Sequence, residues 1–499
     1  MVNSNLAYKF QEVEKEIDYT FLPQEVKHIS VSIRDVFNNK LRLEASSFSI
    51  EAKKAIEKLQ NCKYGAVRMY PNDSFVIDAY HAPRFKRNYV NKRVPDSIGF
   101  LGSAEMLNVK PNAIKFIKKE LAEQKNLYVQ SGTVLLSCSG TIGKTTYVNK
   151  SLERFTFSQH IIRLICKEYS GYVYSFLKTA EAQAQIQSLI YGAVIPEIEP
   201  HHLENVIIPN APELFKKQIH DLIVESFDLQ DKSNYLIDQA ERILYEELKL
   251  KPIEDLKTEY LDSSSELRSY TTKLSNLRLR FDCSFHIPTV QLVEQEIKRY
   301  AKEISTVEKL SKKVILAGVF KRTYVDKENG IPFLGGRDIT QLNPQVEKFL
   351  SKSVHSVRIK KELEVFENYV LISDRGTIGK VQIVPKHWNG WAVSQNIIKI
   401  IACSNELAGY LFCFLNSDYG QILIKRETYG SVVDMIDDKN VNRIHIPLLK
   451  RESKQKEINE LILEANHLRY KAHLKEQEAI NIMEDIIENR TGNMKIDKG

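Results

Sequence analysis

Gly140-Thr141-Ile142-Gly143-Lys144 recurs letter for letter as Gly376-Thr377-Ile378-Gly379-Lys380. Outward from this pentapeptide the same segments follow in the same order in both places. Phe85-Lys86-Arg87-Asn88-Tyr89-Val90 returns as Phe320-Lys321-Arg322-Thr323-Tyr324-Val325, and Ile98-Gly99-Phe100-Leu101-Gly102 as Ile331-Pro332-Phe333-Leu334-Gly335. Ser158-Gln159-His160-Ile161-Ile162 returns as Ser394-Gln395-Asn396-Ile397-Ile398, and Tyr191-Gly192-Ala193-Val194 as Tyr429-Gly430-Ser431-Val432. Five collinear matches at a near-constant shift mean that one unit is written twice.

Two halves of about 240 residues can each bury a core of their own. Hydrophobic content of 43% with 27% charged residues places the chain among soluble globular proteins. Met1-Val2-Asn3-Ser4-Asn5 lacks the basic-then-apolar pattern of a secretory signal, and no apolar run is long enough to cross a bilayer. No membrane partner is expected. The six cysteines form no CxxC pair and fit a reducing compartment, so the cytoplasm is the expected location.

A net charge of +7 and a pI near 8.8 lean toward a polyanionic partner. The stretch from Arg84 to Arg93 holds Arg84, Lys86, Arg87, Lys92 and Arg93 without an acid. Alone, such a run reads as a solvated face. Recurrence of its basic-aromatic core, FKRxYV, sets nucleic-acid binding beside that reading.

Strand-like runs rich in branched residues cover Val134 to Ser137, Thr145 to Val148 and Ile161 to Cys166. Their second copies are Tyr369 to Ser373, Val381 to Val384 and Ile397 to Ile401. In each set the Gly-Thr-Ile-Gly turn joins the first two strands. One helix is predicted over Tyr172 to Ile190 and another over Tyr410 to Arg426. A last strand, Val206 to Ile208 or Ile444 to Ile446, is expected to stop at Pro209 or Pro447.

The back of each half carries the clearest periodicity. Ile219, Leu222, Ser226, Leu229, Ser233, Leu236, Ala240 and Ile243 step by alternating threes and fours, as do Ile458, Leu461, Ala465, Leu468, Ala472, Lys475, Ala479 and Ile482. This is a coiled-coil seam. No Pro or Gly interrupts Glu213 to Lys249 or Arg451 to Asn489. A helix apolar along one face must be covered, and two of matched length and phase would cover each other. The expected fold class is therefore α+β: two mixed α/β modules separated by a long antiparallel two-helix coiled coil, a pseudo-twofold tandem repeat.

Signatures of chemistry are missing. Cys138 to Thr145 imitates a phosphate-binding loop, but Cys138 replaces its first Gly, and the second copy has Asp374 there and Val381 at the end. A structural turn is the preferred reading. There is no GxGxxG, HExxH, GxSxG or zinc spacing, so neither catalytic residues nor a metal site is expected.

With Ser137 to Lys144, Arg375 to Lys380, the S-Q-x-I-I strands, the Tyr-Gly-x-Val segments and the Ile208-Pro209 and Ile446-Pro447 stops, the chain resembles the specificity subunit of type I restriction-modification systems. Arg42-Leu43-Glu44-Ala45 and Arg280-Phe281-Asp282-Cys283 look like the family's R-[LF]-[DE]-A openings. The resemblance implies target-recognition domains at 1–211 and 251–449, spacer helices at 212–250 and 450–490, and a tail at 491–499. It implies a non-catalytic subunit that reads the two halves of a split double-stranded DNA site. Methyltransferase subunits, two of them, would dock on the helices and bring S-adenosylmethionine. ATP and Mg would belong to motor and nuclease subunits, leaving no cofactor in this chain.

Candidate DNA contacts are Arg84, Lys86, Arg87, Asn88, Lys144, Gln159, Lys321, Arg322, Arg375, Lys380 and Gln395, since phosphates are held by cations and base edges read by Arg, Lys, Asn and Gln. For Gln159 and Gln395 a hydrogen-bonded strand start is the competing reading. The halves differ outside the shared motifs, so an asymmetric target is expected. Three alternatives stand beside this: a related methylation-based phage-defence system, a nucleotide-hydrolysing enzyme using Gly140 to Thr145, and a coiled-coil scaffold for proteins.

Overall fold

The computed structural model describes residues 31–38, 45–192, 194–260, 270–277, 280–430 and 433–490. The opening at Arg42 to Glu44 and the tail at 491–499 lie outside the described residues. Each half builds the same four-stranded antiparallel sheet. Its order in the first is Val76–His81, Ile161–Cys166, Val134–Ser137, Thr145–Tyr147. In the second it is Ser311–Ile315, Ile397–Ala402, Val370–Ser373, Val381–Ile383. The register repeats too: Leu136 faces Ile162 as Ile372 faces Ile398.

The central strands are buried on both faces because the period-2 pleat feeds two cores. Val134 and Leu136 join Tyr172, Phe176, Ile219 and Ile223 on one side. Leu135 joins Leu101, Val148 and Phe157 on the other. The second half repeats this with Val370 and Ile372 against Tyr410, Ala240 and Leu244, and Leu371 against Leu334, Trp388 and Val393.

The single helix expected in each half is two. Ser170–Leu177 and Ala180–Ser188 break at Thr179, whose hydroxyl oxygen accepts the Ala182 N–H at 3.3 Å. Asn405–Asn416 and Asp418–Arg426 break at Ser417, which accepts from Gly420 at 3.2 Å. A hydroxyl that caps the next helix ends the previous one. The last strands are Ile207–Pro209 and His445–Leu448. The second runs one residue past Pro447, in a two-stranded sheet with Glu303–Thr306 where a missing N–H is tolerated.

The uninterrupted stretches are the helices Glu213–Glu247 and Glu452–Ile487. Each is about 50 Å long at 1.5 Å per residue. They run antiparallel: Ser226 Oγ donates to the Ala472 carbonyl at 2.7 Å, Lys475 meets Glu225 at 3.0 Å, and Arg451 pairs with Glu247 at the far end. Ser226, Ser233, Ala465 and Ala472 are almost wholly buried, and their small size lets the axes approach.

The seam is wider than its spacing suggests. Ile219, Leu222, Ile458, Leu468 and Ile482 are buried, but Leu229, Leu236, Ile243 and Leu461 are only half-buried. The row beside them, Ile223, Phe227, Gln230, Asn234, Ile237 and Leu244, is buried instead. Each helix packs on a module as well as on its partner, so the expected seam is one edge of a broader stripe. Ile482, Met483 and Ile486, at the end of the second helix, complete the core of the first module.

The modules occupy opposite ends of the rod and touch over its midpoint. Val109 and Leu342, equivalent residues of the two halves, meet there with Leu229 and Ala472. The Val109 N–H donates to the Thr340 carbonyl at 2.9 Å, and Thr340 Oγ1 to Asn108 Oδ1 at 2.6 Å. The pseudo-dyad passes through this contact. Among the described residues no helix is long and apolar enough to cross a membrane.

Candidate nucleic-acid interface

The recurring basic-aromatic segment is an arm pinned at both ends. In the first module Phe85 meets Phe100 edge-on at 6.2 Å, and the Val90 N–H donates to the Phe116 carbonyl at 2.9 Å. Between these anchors Lys86 and Asn88 are exposed. Arg87 folds back over the Phe100 ring at 5.9 Å and donates to His160 Nε2 at 3.1 Å. In the second module Phe320 is held by His355 and Arg358, while Tyr324–Val325 pairs with Phe349 and Leu350. Arg322 lies over Phe333 at 5.5 Å and donates to Gln395 Oε1 at 2.6 Å, and Lys321 is exposed.

The fold thus brings the arm and the Ser-Gln turn together in both halves, though they are more than seventy residues apart in sequence. The guanidinium in each is held by a ring and a polar neighbour, so little freedom is lost when it meets a ligand. The neighbours differ. His160 accepts from Arg87 at Nε2, so its Nδ1–H donates to Ser139 Oγ at 2.6 Å. Burial and then the Arg87 charge lower the His160 pKa and keep it neutral. Gln159 donates to His160 rather than meeting Arg87, whereas Gln395 takes Arg322 directly.

The remaining candidates scatter. Arg84, 80% exposed, meets Glu197 at 3.2 Å. Arg375 is held by the buried Asp374 at 3.0 Å. Lys144 and Lys380 line the cleft between modules, which Arg322 also lines.

The Gly-Thr-Ile-Gly turns are filled by their own side chains. Ser137 Oγ donates to the Thr141 carbonyl at 2.6 Å and accepts the Lys144 N–H at 2.9 Å. Ser373 repeats both bonds with Thr377 and Lys380 at 2.6 and 3.0 Å. Gly143 and Gly379 adopt φ of 91° and 85°, and Gln183 and Gln421 donate to their carbonyls. Two of the first loop's amides, those of Gly143 and Lys144, are thus taken by Ser137.

Sequence reasoning passed over Arg163, which is wholly buried. Its guanidinium holds the carbonyls of Phe157, Ser158 and Ile161 at 2.7, 3.1 and 2.7 Å, supporting the Ser-Gln turn from behind. Burial lowers its pKa to about 10. Its equivalent, Lys399, donates to the Glu362 and Glu364 carbonyls, and burial brings it to about 8. A lone cation in an apolar strand, Ile161-Ile162-Arg163-Leu164 or Ile397-Ile398-Lys399-Ile400, was the available signal. Glu476 was also missed. This buried rod residue accepts from Tyr174 of the first module at 2.7 Å and Asn343 of the second at 2.6 Å, with Lys178 at 3.9 Å.

The model of the type I restriction modification DNA specificity domain matches twice, over residues 48–241 and 304–466, together more than half of the chain. Solved structures similar to the chain include the type I restriction-modification system S subunit from M. genitalium, at 13% identity. There 87% of this chain and 98% of that one are covered, with a TM-score of 0.32. The HsdS subunit from Thermoanaerobacter tengcongensis is 12% identical over 86% and 97% of the two chains, with a TM-score of 0.26. A chain from work on complex assembly and conformational transition of the type I R-M system is 12% identical over 78% and 91%, with a TM-score of 0.26. No curated protein matches.

Proposed function

The chain belongs to the family of type I restriction modification DNA specificity domains, and from that premise we propose that it reads a bipartite, asymmetric double-stranded DNA target for a restriction-modification assembly. The observation that carries the reading is the pair of matched faces, Arg87 beside His160 and Arg322 beside Gln395, on modules at opposite ends of one rod. An Arg presented with its planar fork suits the N7 and O6 acceptors of guanine in the major groove. Unlike neighbours beside each Arg favour unlike half-sites. Lys86, Asn88, Lys321 and Arg84 are exposed on or next to the same arms and suit phosphate contacts, which set register without reading sequence.

Methyltransferase subunits are the proposed partners, one for each half, docked along the rod. They would supply S-adenosylmethionine, and motor and nuclease subunits would supply ATP and Mg chemistry. This chain's part is the address. Sequencing methylated positions in the source genome, with and without an intact copy of the gene, tests the proposal. A two-part motif with a fixed gap that disappears with the gene is expected. A continuous motif, or methylation indifferent to the gene, would count against it.

A further inference from the structure

Between the two modules, over the rod's midpoint, lies a cleft of about 790 Å3. The contacting loops around Asn108 and Gln341 line it. Lys144 of the first module and Lys380 of the second, the equivalent final residues of the duplicated pentapeptide, both line it. Arg322, Arg337 and Lys348 add three more cations, against the carboxylates of Glu105, Asp338 and Glu347.

Lys144 reaches across the pseudo-dyad to the opposite module. Lys144 Nζ is 2.7 Å from Glu347, a side chain that is 70% exposed. Burial lowers the pKa of Lys380, with Glu105 of the first module acting against it. An ion pair to an exposed carboxylate contributes little and can be exchanged for another anion.

We propose that this cleft is a phosphate-backbone site for the stretch of DNA between the two half-sites, with Lys144 and Lys380 as its paired contacts. The inference rests on the reading above and assigns these lysines to the unread middle of the target rather than to either half. Three observations converge on it. The site is lined by both modules beside the pseudo-dyad contact of Val109 and Leu342 and reaches Arg322 on its second-module side, so a backbone held there adjoins the half-site that Arg322 faces. It is too small for a whole duplex but admits the backbone edge of one. Its pentapeptide is identical in both halves, whereas the residues beside Arg87 and Arg322 differ. Identity suits contacts that carry no sequence information, and difference suits base reading.

The test uses the full chain and a duplex bearing the motif found from the methylated sites. Binding is measured against salt with ordinary phosphates and with neutral methylphosphonates at the centre of the gap. The double variant Lys144→Gln/Lys380→Gln should flatten the slope of log affinity against log salt by roughly 1.8, two phosphate contacts' worth. It should be indifferent to the central methylphosphonates that weaken the native chain, and it should keep the same base preferences. Lys144→Arg/Lys380→Arg should restore the slope, which a folding defect would not allow. Glu347→Gln should tighten binding several-fold by freeing Lys144. An unchanged slope, an equal methylphosphonate penalty in variant and native chain, or an altered motif would overturn the inference. Absence of motif-selective binding by the native chain would instead sink the family-based reading, and this inference with it.

Discussion

Gly409 donates its N–H to Asn459 Oδ1 at 2.8 Å and lies so close to the second rod helix that a Cβ would stand 2.6 Å from the Asn459 carbonyl oxygen. Gly171 repeats this on the first helix, its N–H bonded to His220 Nδ1 at 3.1 Å and a Cβ placed 2.8 Å from the His220 Cα. Each module is seated on the rod through one missing side chain.

Gly409→Ala should therefore lift the second module off its helix. Overpacking of this kind costs about 1–3 kcal/mol. Urea unfolding should show that loss, while Gly336→Ala, where no atom lies within 4 Å of the added Cβ, should stay near the native value.

Leu468→Ala should cost about 2–5 kcal/mol, because Leu468 is only 3% exposed. Leu229→Ala should cost less, since Leu229 is half-buried over the contact of Val109 and Leu342. Equal losses in denaturant midpoints would contradict the broad stripe described for the rod. Leu229→Glu with Leu468→Glu should part the helices and abolish recognition of a split site.

Arg163→Met should leave three carbonyls behind the Ser-Gln turn without their donor. A loss of several kcal/mol is expected, at about 1–3 for each unpaired group. Arg163→Lys, as at Lys399 in the other half, should fold better yet still blur selectivity for one half-site only. Loss of selectivity at both ends would show that Arg163 acts globally.

His387 stacks on His473 at 3.8 Å beside the pseudo-dyad, and burial followed by the His473 charge brings its pKa down to about 3. A folded-state pKa below the unfolded value near 6.5 means that the unfolded chain takes up the proton first. Stability should thus fall as pH drops below about 6.5 and go on falling toward pH 3. His387→Gln should remove part of that slope in unfolding curves at pH 7 and pH 5, and an unchanged slope would place the acid sensitivity elsewhere.

Much of this was legible because duplication doubles every signal. The rod followed from periodicity and from the absence of Pro and Gly, and the strands from branched runs that the sheet buries on both faces. The helix break at Thr179 was hidden, since a capping hydroxyl inside an apolar period looks like any other polar residue. The row of Ile223, Phe227 and Ile237 was hidden because the seam was judged against one neighbour, whereas each helix has two. Among the candidate contacts, spacing marked Arg87 and Arg322, but only the fold shows that Lys144 and Lys380, from the two turns, line one cleft between the modules. Arg163 was legible in principle, as a cation where an apolar strand has no reason to hold one.

The antiparallel rod also ties distance to rotation. A heptad added to both helices would part the modules by about 10.5 Å, or roughly three base pairs at 3.4 Å each. Three base pairs turn the groove by more than a quarter of a circle around the duplex, since one full turn takes about 10.5. A lengthened rod would then aim one reader at the wrong side of the helix unless the insertion approached a whole turn, about 24 residues in each strand of the coil. On the proposed function, the gap lengths open to such a protein would be stepped by the pitch of DNA itself.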